Sequence, residues 1–474
     1  MIGADRIAPS TAWVALGFML VIAASAAAAS AVGADEQTVT LTVAAAAIGA
    51  PLAYLAWHTE PAYTLTAGLL LTPFANNWEQ IGVPGAVAPN RLLLVAGVAA
   101  VILRAPPIRD RPRLRIEAVH WVLGAAVLYA LVSAAASGTL AEKEGFFRLF
   151  QTFGVLPFLV FLVAPVAFRT RRQRLVLLTG LVALGGYLGL TALFEAVDLR
   201  KVVFPKYILD AAVGQGAGRA RGPFAEAVHN GVALYICAVA SGIALMTWEK
   251  RRARLIAALV GGLCLLGTLL TLQRSVWLGA VLATTLTVVL LAQGRRLFVR
   301  ALPALVIAFA IALAAVPDLR AQISQRFGDE GTVQSRQNLN RAALNMALER
   351  PIFGFGWNEF SKQGTDYFQQ SPDYPLTGTQ VNLPHNLFLN YAAELGFLGI
   401  ALWTLGLGLI VVGALAIRGP PDLQLWRMGL IPIAILLVTV VNFIPPSSPF
   451  MTLSLCLWAG VVWSGRYADP QDDR

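Results

Sequence analysis

Residues 386–413 read NLFLNYAAELGFLGIALWTLGLGLIVVG, 28 residues with a single charge, Glu394. A helix of that length runs about 42 Å, and roughly 20 apolar residues suffice to cross the hydrocarbon core of a bilayer. The stretch therefore reads as a membrane helix, and it has many counterparts. Apolar segments of spanning or near-spanning length lie near 11–33, 39–57, 61–75, 90–104, 117–138, 148–168, 175–195, 228–248, 255–273, 274–293, 301–317, 429–444 and 449–464. Those at 61–75 and 90–104 are short enough to be re-entrant. Over all 474 residues 57% are hydrophobic and 13% charged, with a mean hydropathy of +0.66. That leaves too little polar surface for a soluble protein of this size. The expectation is an all-α polytopic membrane helix bundle of about 12–14 transmembrane helices with one large periplasmic loop.

The net charge of +10 comes from 31 Arg and 5 Lys against 26 acids. Basic excess on a membrane protein points to cytoplasmic loops before nucleic acid. With the N-terminus inside, 21 of the 36 basic residues fall on the inner side, in clusters at 104–115, 169–174, 250–254 and 295–300 and at Arg418, Arg427 and the termini. Both termini are thus expected on the cytoplasmic side of the membrane. The first 33 residues also resemble a signal peptide, with Arg6, an apolar core and the small-residue tract Ala24–Ala31; an uncleaved first helix is the favoured reading. Cys237, Cys264 and Cys456 each sit in an apolar run, which suits small core residues rather than a disulfide framework or a metal site.

Two outer connections are long, 196–227 and 318–385, and long loops in compact folds are more often functional than idle. The chain divides accordingly into transmembrane helices over 1–317, a periplasmic loop over 318–385 and a C-terminal membrane segment over 386–474. Inside the loop, Ser335–Arg350 reads as a helix, with Ser335 as its N-cap, Leu339, Ala343 and Met346 on one face, and Pro351 as its stop. It is expected on the membrane surface or across the mouth of the bundle. The next stretch, Pro351-Ile-Phe-Gly-Phe-Gly-Trp357, reads as a tight turn with aromatic anchors near the interface.

An enzyme site on the outer face has no nucleotide supply, so a sugar donor there must come through the membrane, and a lipid-linked diphosphate is the natural candidate. Such a donor needs cations near the outer headgroups, and arginine makes bidentate contacts with phosphate. Arg219 and Arg221 in GRARGPF (218–224), Arg274 in the tight turn at 272–275, and Arg336 and Arg341 on the loop helix all break the positive-inside bias on that face. Singly, each also reads as a snorkelling surface arginine; together they favour an anion site.

His385, in NLPHNLFL (382–389), stands at the start of a membrane helix. There an imidazole with a pKa near 6.5 can take a proton from an acceptor hydroxyl, or simply cap the helix. No second histidine or carboxylate follows at i+3 or i+4, so metal binding is the weaker reading. Glu394, about 13 Å further along the helix, is an ionisable group within an apolar segment, functional by default or else structural.

Taken together, Arg221-Gly-Pro-Phe224 before a helix, the Ser335-Arg336 helix ending in Pro351–Trp357, and His385-Asn386 followed by Glu394-Leu-Gly396 resemble the O-antigen ligase and polysaccharide polymerase superfamily. The resemblance is clearest over 219–400. It implies an all-helical membrane glycosyltransferase that moves a glycan from undecaprenyl diphosphate to an acceptor, without metal, nucleotide or other cofactor. His385 matches the histidine treated as catalytic base, and Arg221 and Arg336 match arginines that hold the diphosphate, with Arg219 and Arg274 beside them and Asn386, Glu394 and Arg341 in support. The acceptor is a lipid A core, a glycan or a growing chain, and membrane lipids are the other partners. One departure stands out: Ala225-Glu-Ala-Val-His-Asn230 replaces the Pro-Asn pair that often follows in the family. The rival from another class is a transporter or flippase, which should carry substrate groups near the bilayer midplane on paired, broken helices.

Overall fold

The computed structural model describes residues 57–85, 88–103, 114–216, 218–292, 331–369, 383–445 and 448–467, with scattered positions over 43–55 and 295–299; residues 331–335 are described by their backbone. The expected segments 11–33 and 301–317, much of 39–57 and most of the basic stretch 104–115 lie outside the described residues. The chain forms two compact units, residues 1–104 and 105–474.

In the first unit, α1 (Pro61–Leu71) and α2 (Pro89–Leu103) have 11 and 15 residues, short of a full crossing. They pack glycine against leucine: a Cβ on Gly68 would come 2.7 Å from Leu94 Cγ, and one on Gly97 would come 2.9 Å from Leu65 Cδ2. Small residues let helices approach closely where lipid offers no hydrophobic drive.

The second unit comprises α3 (Ala118–Ala136), α4 (Lys143–Ala167), α5 (Arg171–Ala196), α6 (Ala227–Thr247), α7 (Arg251–Leu270), α8 (Arg274–Leu290), α9 (Gly331–Glu349), α10 (Leu387–Ala416), α11 (Pro421–Val440) and α12 (Pro449–Trp463). Among the described residues, seven of these helices, α3 to α7, α10 and α11, are long and apolar enough to cross a membrane, and no strand occurs. The protein is an all-α polytopic membrane bundle. Its core helix is α12, buried at 13 of 15 positions and packed against α4, α10 and α11. A helix that is apolar all round belongs in the interior. Trp458 lies 4.6 Å from Trp426, centroid to centroid, and donates its indole N–H to the Trp426 carbonyl. On the periphery, Leu255, Ile256 and Leu259 of α7 stay exposed, as a lipid-facing stripe should. All three cysteines are free and buried.

Two departures from regular helix position the loop end of this unit. In α4 a π-helical stretch, Arg148–Phe153, widens the helix and accompanies a buried Arg148. In α10 the backbone breaks at Gly396 (φ 67°, ψ −179°), and the loop after α9 takes up the freed groups. Phe355 N donates to Ala393 O and Gly356 N to Glu394 O, both at 2.9 Å, while Phe397 N donates to Pro351 O at 2.7 Å. The approach tolerates no side chain: a Cβ on Gly396 would lie 2.2 Å from Ile352 O, and one on Gly354 would lie 2.5 Å from Glu394 O.

The loop helix α9 begins at Gly331, four residues before the Ser335 expected to cap it. Leu339, Ala343 and Met346 are buried with Phe360 and with Ala393 of α10, so the helix packs on the start of α10. Trp357, expected near the interface, is fully buried. Its indole N–H donates to Gly145 O at 2.9 Å and the Arg148 guanidinium lies 4.6 Å over its ring. A tryptophan whose N–H and ring face both find partners inside has no need of the interface.

Candidate active site

At the loop end, α10 is aligned by its own first residues. Asn386 caps it, its side-chain oxygen accepting from Leu389 N at 3.1 Å, and Leu387 N donates to Val441 O at the end of α11 at 2.9 Å. His385, one residue before this cap, is half-buried, and its Nδ1 is buried with no hydrogen-bond partner. Burial first, and then the positive charge of Arg336 on α9, push its pKa down to about 4, against the opposing pull of the Glu226 carboxylate. The imidazole is therefore neutral at ordinary pH and able to accept a proton.

Glu226 stands immediately before α6, and Glu226 Oε2 lies 2.8 Å from His229 Nδ1. Burial works to raise this carboxyl, but His229, and then His385, outweigh it and hold the pKa below the usual carboxylate value. His385, Arg336, Glu226 and His229 thus form one electrostatic group drawn from three elements far apart in sequence. Sequence reasoning noted Ala225–Asn230 only as a departure. The available signal was an i, i+3 carboxylate–imidazole pair at the head of an apolar helix.

The remaining expected residues divide by what they hold. Arg221 is 2% exposed and donates to three carbonyls, Ile208 O at 2.6 Å, Asp210 O at 2.8 Å and Val213 O at 2.8 Å. Its own amide and that of Gly222 donate to the Glu195 carboxylate, each at 3.0 Å. Gly222, at φ +54°, lies where a Cβ would meet Asn230 Oδ1 at 2.5 Å. Arg221 therefore organises the 208–226 loop. Three of its five N–H donors are thereby spent on protein carbonyls.

Glu394 is likewise enclosed. Its carboxylate takes two hydrogen bonds from Arg148, at 3.0 and 2.5 Å, and Arg148 also donates to Asn358 Oδ1 at 2.7 Å. This buried fork joins α4, the loop after α9 and α10. Neither Arg148 nor Asn358 figured in the sequence reading, since a pair 246 residues apart leaves no local pattern.

Arg274, the first residue of α8, is half-buried and makes no hydrogen bond or ion pair within the described residues. Its turn adjoins the 218–224 loop, where Ala220 N donates to Leu270 O at 3.3 Å. Arg219, in the same loop, lies beside Gly216. Arg341 is exposed and donates to Gln369 Oε1 at 3.0 Å.

Residues 259–404 match the protein-family model described as O-antigen ligase. That stretch is similar to the O-antigen ligase family, in agreement with the resemblance drawn from the sequence motifs. Compared with curated proteins, it finds no match. The O-antigen ligase match runs from α7 into α10, so Arg274, Arg336, Arg341, His385, Asn386 and Glu394 lie within it, while Arg219, Arg221 and Glu226 precede it. The similarity supports a membrane glycosyltransferase-type role.

Proposed function

We propose that the protein transfers an oligo- or polysaccharide from an undecaprenyl diphosphate carrier to an acceptor hydroxyl at the periplasmic face of the bacterial inner membrane. The observation that carries this reading is a neutral imidazole whose buried Nδ1 makes no hydrogen bond, within electrostatic reach of both a guanidinium and a carboxylate at the loop end. His385 takes the proton of the acceptor hydroxyl as its oxygen attacks the anomeric carbon. The bond from that carbon to the diphosphate oxygen breaks, and undecaprenyl diphosphate leaves with the electron pair. A direct displacement inverts the anomeric centre.

Arg336, with Arg274 and Arg219, meets the charge that develops on the leaving diphosphate. Arg221 acts by holding the loop, and Asn386 and Glu394 by fixing α10. Because the Arg336 charge helps to hold His385 weakly basic, a bound diphosphate that offsets this charge strengthens the base when the donor is in place. The Glu226 carboxylate then stabilises the imidazolium that forms.

The test is glycan transfer by purified protein given an undecaprenyl diphosphate-linked oligosaccharide and a panel of lipid A core, glycan and lipid-linked acceptors, with chelator and no nucleotide. Wild type is expected to transfer to one acceptor class, which distinguishes ligase from polymerase. His385→Ala is expected to lose about 10²–10⁴-fold in rate, the range of general-base catalysis, while eluting as a folded protein. Equal rates would make His385 a structural residue, and no transfer to any acceptor would favour transport.

A further inference from the structure

The loop Pro351–Trp357 meets its neighbours well below the loop end of the bundle, and α3 measures how far. Helix α3 has 19 residues, about 28 Å, which matches the hydrocarbon core, so Ala136 marks the boundary. Tyr129 lies seven residues before Ala136, about 10 Å down the axis, and its side chain tilts further from that end. Its hydroxyl donates to Leu395 O at 2.9 Å and Ile352 O at 3.5 Å. On α10, Phe397 N donates to Pro351 O beside the break at Gly396.

At this level Ile352 and Phe353 are 59% and 66% exposed, beside exposed Phe397 and Leu398 of α10 and Leu128 and Val132 of α3. The surface they join is the lipid-facing surface of the bundle. From these contacts and this apolar continuity we infer that Pro351–Phe353 is a re-entrant wedge, its Ile352 and Phe353 side chains packed among the acyl chains of the leaflet on the loop side.

The backbone chemistry agrees. Irregular chain at membrane depth persists only where protein satisfies its polar groups. Here Ala393 O, Glu394 O, Leu395 O and Pro351 O accept from protein donors. Trp357 N donates to Ser133 Oγ at 3.0 Å, and Trp357 O accepts from Thr139 Oγ1 at 2.7 Å. Arg350, which precedes the wedge, lies 4.3 Å over the Phe355 ring, and a long arginine side chain reaches toward water from such a position. The wedge follows α9 directly, so it ties the helix that carries Arg336 to the bilayer.

The test places an environment-sensitive fluorophore at Ile352→Cys and, separately, at Phe353→Cys, the three native cysteines being buried. The protein is reconstituted in phosphatidylethanolamine and phosphatidylglycerol vesicles, with exposed Gln337→Cys on α9 as reference. At 352 and 353 the emission is expected at apolar wavelengths and quenched several-fold more by nitroxide on the acyl chains than by aqueous iodide, the reverse of 337. Probes at 352 and 353 that behave like the probe at 337 would overturn the inference.

Discussion

Two sets of arginines gather at the loop end of the large unit, and they differ in what their donors already hold. Arg148 and Arg221 are almost fully buried, the first forked onto Glu394 with Asn358 beside it, the second fanned over three carbonyls. Arg336 and Arg274 are half-buried beside the mouth, the first close enough to His385 to lower its basicity. The first set holds elements together, and the second is the one proposed above to meet the diphosphate. Equal charge on the same face therefore hides two jobs, which only the acceptors around each guanidinium separate.

Breaking that division gives the largest effect. Arg148→Met leaves Glu394 as an uncompensated buried charge in the place where α4, α10 and the loop after α9 meet. The expected loss is about 3–5 kcal/mol of stability, read as a large drop in the thermal midpoint in detergent, with α9 released to proteolysis. Unchanged stability would remove the fork from the architecture.

A smaller contrast sets Arg221→Met against Arg336→Gln. The first strands buried carbonyls at about 1–3 kcal/mol each and is expected to lower thermal stability and, through the loop, transfer. The second is expected to leave the unfolding midpoint nearly unchanged and to slow transfer. If both destabilise alike, the two sets are one.

The smallest effect is a shift in pH profile. A base must be neutral to act, so transfer fails as pH falls through the His385 pKa, near 4 in the free protein. Arg336 pushes that value down, so Arg336→Gln should move the acid limb to higher pH. Glu226 pushes it up, so Glu226→Gln should move the limb lower. Limbs moving the same way, or not at all, would separate these groups from His385.

Hydropathy made most of the helices legible: expected 117–138, 175–195, 228–248 and 274–293 stand as Ala118–Ala136, Arg171–Ala196, Ala227–Thr247 and Arg274–Leu290. The shared face of Leu339, Ala343 and Met346 was readable too, because helical spacing is a local property. The start of α9 was not, since four residues before Ser335 already join the helix. The Gly396 break escaped notice for a related reason: a glycine inside an apolar run says nothing until Gly354, 42 positions earlier, comes to rest against it.

The candidate site was proposed from His385 and Arg336 because their residue types on the outer face suggested a base and a phosphate contact. Glu226 and Arg148 were not, because a carboxylate's influence on a histidine 159 positions away, or a fork across 246, exists only after folding. Composition and periodicity alone determined a membrane bundle of helices, because transfer into lipid depends on local apolar length. Tertiary structure decided which arginines hold the fold, because a guanidinium's role depends on the acceptors within 3 Å of it, and those come from elsewhere in the chain.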